Sequence, residues 1–134
     1  MSFNQKVDED LIKLNDRPKK ILVVEDDKIN IFLMQRILLP LKFDVEIAEN
    51  GLIALEKFQQ FTFDLILMDL YMPIMDGFEA TKRIRELSKT PPIIIISAAT
   101  LNEVELKQKI GNDYFMSKPF EVIKFKKLLS EIFA

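Results

Sequence analysis

Asp69 ends an unbroken apolar run, Leu65-Ile66-Leu67-Met68, and three other apolar runs end on groups of comparable chemical interest. Ile21 to Val24 leads into Glu25-Asp26-Asp27, Ile93 to Ile96 into Ser97, and Tyr114-Phe115-Met116 through Ser117 into Lys118. A carboxylate at the tip of a buried strand is a candidate nucleophile, because the tip is where such a strand meets solvent. Acids, a hydroxyl and an amine on neighbouring tips together suit phosphoryl transfer. Three carboxylates brought close repel one another and need either raised pKa values or a cation. Mg²⁺ is the natural occupant, since it takes one or two carboxylates and completes its shell with water, carbonyl oxygen and phosphate. One Asp oxygen could then attack an incoming phosphoryl group, with positioning and charge neutralisation supplying most of the catalysis. Lys118 is placed to pair with a phosphoryl oxygen and Ser97 to donate a hydrogen bond to another. Any one of these residues alone would read as a solvated loop group; their joint placement favours one site. The chain contains no histidine, so a phosphohistidine donor has to be supplied from elsewhere.

The elements that must position these groups alternate. Strand patterns fall at 20–25, 44–48, 64–69, 92–97 and 113–117, and helix patterns at 28–39, 50–60, 76–88, 100–110 and 120–133. The near-continuous Ile, Leu, Val and Met of the first, third and fourth strands are the mark of parallel strands covered on both faces. Val45-Glu46-Ile47-Ala48-Glu49 alternates and suits an edge strand. Short strands separated by helices argue right-handed βαβ units. Asn50-Gly51 and Asp76-Gly77 predict helix caps, Pro40 a stop, Gly111 a left-handed helix exit, and Pro119 the first turn of the last helix. Residues 28–39 carry an apolar surface too wide for one buried stripe; a generous core face is favoured slightly over an exposed docking patch.

A chain of 134 residues suits one domain, able to bury roughly two thirds of its unfolded surface. Residues 1–18 read as a tail or linker, with only Val7, Leu11 and Leu14 at helical spacing, and the domain proper runs over 19–134. A net charge of −2 gives no general pull toward nucleic acid or anionic lipid. The absence of cysteine suits a reducing cytosol, and the first ten residues are too polar and acidic for a signal peptide. No apolar stretch approaches the roughly 20 residues that span a bilayer. A cytoplasmic protein is expected, with no nucleic-acid or membrane contact by this chain.

Leu22-Val23-Val24-Glu25-Asp26-Asp27, Met68-Asp69-Leu70-Tyr71-Met72-Pro73-Ile74-Met75-Asp76-Gly77, Ser97-Ala98 and Lys118-Pro119-Phe120 together resemble the receiver domain of two-component response regulators. The match covers about residues 19 to 134. The resemblance implies a flavodoxin-like, doubly wound (βα)5 fold with a five-stranded parallel sheet in the order 2-1-3-4-5. It implies Asp69 as phosphoacceptor, with Asp26 and Asp69 as direct Mg²⁺ ligands, Glu25 acting mainly through water, and the Tyr71 carbonyl completing the protein's share of the shell. Lys118, on a cis bond to Pro119, would hold the phosphoryl group. Ser97 and Phe115 would form a switch pair that repacks on phosphorylation. Tyr71 and Ala99 would flank the attacking water and tune the lifetime of the phosphorylated form. The implied donor is a histidine kinase or histidine phosphotransfer protein, and the style of the acceptor segment tilts toward a hybrid-kinase origin. The Ser97–Lys118 segment is one residue shorter than is usual in the family, which predicts a short or mobile helix there.

Three other readings compete. A haloacid-dehalogenase-type phosphatase would want an Asp where Tyr71 stands and its nucleophile on the first strand. A nucleotide or flavin binder would want Gly, Ser or Thr amides where Glu25-Asp26-Asp27 would repel phosphate. A receiver-like docking module that is never phosphorylated would not need the complete set of site residues.

Overall fold

In the computed structural model, which describes residues 3–98, 103–112, 114–119 and 121–134, the apolar runs form the central strands of one parallel sheet. The strands are β1 (Lys20–Val24), β2 (Asp44–Ala48), β3 (Leu65–Asp69), β4 (Ile93–Ser97) and β5 (Tyr114–Ser117), ordered β2-β1-β3-β4-β5. The helices are α1 (Phe3–Leu14), α2 (Lys28–Leu38, continued by a 3-10 turn at Leu39–Leu41), α3 (Gly51–Gln60), α4 (Gly77–Leu87), α5 (Glu103–Ile110) and α6 (Val122–Ile132). The expected flavodoxin-like fold and strand order are therefore present. Register sets Val24 beside Met68, and Asp69 beside Ile96, so the first, third and fourth strand tips lie side by side.

Successive strand residues point to opposite faces, which divides the core in two. Ile21, Val23, Leu65, Leu67, Ile94 and Ile96 pack toward α2 and α6. Leu22, Val24, Ile66, Met68, Ile93 and Ile95 pack toward α3 and α4. Asn50 and Asp76 cap their helices through side-chain oxygens that accept from the Ile53 and Glu79 amides. Gly111 has the left-handed φ expected at the exit of α5, which is short, at 8 residues.

Three expectations are corrected. The segment read as a tail is largely helix α1, whose Val7 and Leu11 are buried with Leu38, Leu41, Phe125 and Leu129. An ion pair from Lys126 to Asp8 at 2.9 Å and an Asn15 amide donated to the Leu41 carbonyl fasten it. The wide apolar surface of α2 is not a generous core face: Ile29, Phe32 and Leu33 are 72%, 56% and 49% exposed, and burial falls on Met34 and Leu38. Pro119 does not open the last helix. It sits in a bend after a cis Lys118–Pro119 bond, and α6 starts at Val122.

Candidate functional site

Each site residue is carried outward by the end of its strand. Asp69 is the last residue of β3, Glu25 follows β1 directly, Ser97 ends β4 and Lys118 follows β5. Glu25, Asp69 and Ser97 are buried, whereas Asp26 is exposed. One carboxylate oxygen from each of Glu25, Asp26 and Asp69 lies within 4.8 Å of the others. The Lys118 ammonium donates to Glu25 Oε1 at 2.6 Å and lies 3.5 Å from Asp69 Oδ2. Residues 93 positions apart in the chain thus meet at one point.

Charge crowding shapes the titration. Burial first, then the hydrogen bond and the negative charge of Glu25, push the Asp69 carboxyl up to about 7 from an ordinary 3.8, against the pull of Lys118 and the Tyr71 backbone amide. Burial also pushes Glu25 upward, but hydrogen bonds with Asp69, Lys118 and Asn30 and the Lys118 charge bring it below its ordinary value. Of the two acids, Asp69 is therefore the one whose ionisation is disfavoured. Burial lowers Lys118, yet its contacts with Glu25 and Asp69 leave it raised overall, firmly an ammonium. A small hard cation among the three carboxylates would relieve the repulsion that raises the Asp69 carboxyl.

Of the residues read from sequence, Glu25, Asp26, Asp69 and Lys118 are brought together. Tyr71 touches Asp69 through its backbone. Ser97 is wholly buried at its strand end, and its carbonyl accepts from the Lys118 amide at 2.8 Å. Phe115 is half-buried on β5 against the α3/α4 side of the core. Ala99 and Phe120 lie outside the described residues.

Supporting residues went unread. Asn30 bonds Glu25, and Asp27, last of the acidic trio, is a helix cap whose carboxylate accepts from the Ile29 and Asn30 amides. Gly77 donates its amide to the Leu70 carbonyl at 2.8 Å, and a Cβ there would run into the Asp69 backbone carbonyl. Gly51 donates to the Met75 carbonyl at 2.9 Å, and a Cβ there would stand 2.6 Å from that oxygen. Both glycines close the loop after Asp69. Their helix-start positions had suggested only caps; the Asp-Gly and Asn-Gly pairs were the available signal.

The family model for the response regulator receiver domain matches residues 21–130. The chain belongs to this family. A hybrid signal transduction histidine kinase M from Dictyostelium discoideum is 38% identical over 120 residues, which cover 84% of this chain and 5% of the kinase. The hybrid signal transduction protein dokA of the same organism is 40% identical over 117 residues, covering 86% of this chain and 7% of that protein. The chain thus spans under a tenth of the length of these relatives. Among solved structures, the receiver domain of a sensor histidine kinase from Pseudomonas aeruginosa superposes with a TM-score of 0.77 at 28% identity, over 87% of this chain and 98% of that one. That receiver has a magnesium ion coordinated in its active-site cleft. A Vibrio cholerae chemotaxis protein superposes with a TM-score of 0.77 at 30% identity, over 86% and 98% of the two chains. As a receiver, the chain is a signalling module of two-component systems, and no helix among the described residues is long and apolar enough to cross a membrane.

Proposed function

We propose that Asp69 accepts a phosphoryl group from the phosphohistidine of a histidine kinase or histidine phosphotransfer protein, and that this receiver passes the signal on by repacking around Ser97 and Phe115. The observation that carries the reading is the meeting of Glu25, Asp26 and Lys118 around Asp69. Asp69 reacts as its carboxylate. A carboxylate oxygen then forms the O–P bond as the N–P bond of the phosphohistidine breaks, its electron pair returning to the imidazole nitrogen. Lys118, already 3.5 Å from the acceptor carboxylate, pairs with a phosphoryl oxygen, exchanging one anionic partner for another. Ser97 donates its hydroxyl to a second phosphoryl oxygen, and Phe115 moves toward the space this leaves.

The three carboxylates fit Mg²⁺, which Glu25, Asp26, Asp69 and the Tyr71 carbonyl would hold, and which when bound neutralises charge on the phosphoryl oxygens. The hybrid-kinase names of the relatives support reading the chain as the receiver segment of a hybrid kinase, with the receiver itself on the cytoplasmic side. Incubation with Mg²⁺ and acetyl phosphate should add one phosphoryl mass, and Asp69→Asn should abolish it. An unmodified wild type would overturn the reading in favour of a docking module without chemistry.

A further inference from the structure

The loop from Leu70 to Gly77 contains a backbone conformation that its residue disfavours. The Met75 amide donates to the Pro73 carbonyl at 2.9 Å across Ile74, whose φ is 72°. This is a γ-turn of the rare left-handed form, in which the central residue is strained. A β-branched side chain is among the worst occupants of that φ, where Gly or Asn is cheap. The turn persists because its surroundings over-determine it. The Gly77 amide holds Leu70, the Gly51 amide holds Met75, and Met72 and Met75 pack on the core.

Among the described residues, neither core cluster takes in the isoleucine. Its side chain is 80% exposed, the most exposed of the large apolar residues among the described part of the chain. Tyr71, on the same loop, is also exposed and leans its ring on Phe78 at 6.1 Å. Beyond the acid pair, Ile29 and Phe32 of α2 are likewise exposed. A donor bringing a phosphorus atom to Asp69 must rest on the surface around the strand tips, and apolar side chains flank that surface on the β1 and β3 sides.

We infer that Ile74, raised on this γ-turn five residues beyond Asp69, is an apolar anchor that seats the phosphohistidine-bearing domain of the donor protein on the acceptor site. The inference rests on the proposed phosphoacceptor role of Asp69. Ile74 takes no part in the chemistry; it positions the donor. A small phosphodonor has no surface to seat and does not use it.

The test compares two donors on wild type, Ile74→Gly and Ile74→Met. One is acetyl phosphate; the other is the autophosphorylated histidine kinase of the source organism that labels the wild type fastest. Ile74→Gly removes both strain and anchor, so it should unfold no more readily than wild type and take up acetyl phosphate at the wild-type rate. Its kcat/KM for the kinase should fall about tenfold, the usual loss for an interface anchor. Ile74→Met keeps an apolar side chain and should restore most of that rate. Equal kinase rates for wild type and Ile74→Gly would overturn the inference. So would a parallel loss with both donors, which would make Ile74 part of the site's own geometry. A change in self-association with kinase transfer intact would assign the anchor to a second copy of the chain and overturn it too. A wild type that acetyl phosphate fails to label defeats the phosphoacceptor reading itself, and the inference with it.

Discussion

The two ends of the sheet solve opposite problems. At the carboxyl ends of the strands, the buried Glu25 and Asp69 meet the half-buried Lys118, and a strained turn stands close by. At the amino ends the polar groups are quietly paired. The Asn15 side chain donates to the Leu41 carbonyl and accepts from the Lys19 amide, and the Asp64 carboxylate accepts from the Lys20 amide. The Lys20 ammonium lies 4.5 Å from the centre of the Phe61 ring, and the Phe43 and Phe133 rings meet at 5.7 Å. One end is held together by satisfied contacts, the other keeps charges poised by crowding them. Paired contacts and crowded charge are thereby separated by the length of a strand.

Substitutions at the two ends should therefore fail differently. Asp69→Asn should abolish phosphoryl uptake from acetyl phosphate, read by intact-protein mass, while leaving the fold intact. Next, Lys118→Ala should slow uptake about 10²-fold at saturating donor, the usual cost of losing one preorganised charge partner for the transferring group. Leu11→Ala, on the packed side of the molecule, should destabilise by about 2–5 kcal/mol in urea unfolding and leave the uptake rate of the folded fraction unchanged. Uptake that fell with Leu11→Ala in proportion to Lys118→Ala would erase the division.

The acidic site also predicts a pH dependence. The folded value for Asp69, about 7, lies above its ordinary 3.8, so its contribution to stability is full below about pH 4 and is lost as pH rises through 7. In a chelating buffer wild type should lose on the order of 4 kcal/mol relative to Asp69→Asn between pH 4 and 8, at about 1.4 kcal/mol per pKa unit. Parallel urea-unfolding curves for the two proteins across that range would refute the shift. Smallest is Asn15→Ala, expected to cost about 1–2 kcal/mol through the unpaired Leu41 carbonyl and Lys19 amide, with no pH dependence.

Strand order aside, the framework was legible because continuous Ile, Leu and Val runs admit few alternatives, and the site residues stand directly at the ends of those runs. What stayed hidden depends on tertiary closure. A sequence states that α2 has apolar residues to spare, but whether Ile29 and Phe32 meet a core or water depends on where α6 and α1 lie. Val7 and Leu11 were visible at helical spacing, yet that spacing in a largely polar segment does not reveal the surface of Phe125 and Leu129 that receives them. Gly77 matters through the Asp69 carbonyl eight residues back, a clash that exists only once the loop has folded over. Asn30 could be found only after α2 had been laid beside Glu25.

Helix α1 bears on how this receiver can be transplanted. A chimera spliced at Lys19, where the recognisable motif set begins, would strip Val7 and Leu11 from Leu38 and Phe125 and leave an oily scar along the α6 flank. Junctions for swapping it into another signalling protein belong upstream of Phe3, so that the helix travels with its module.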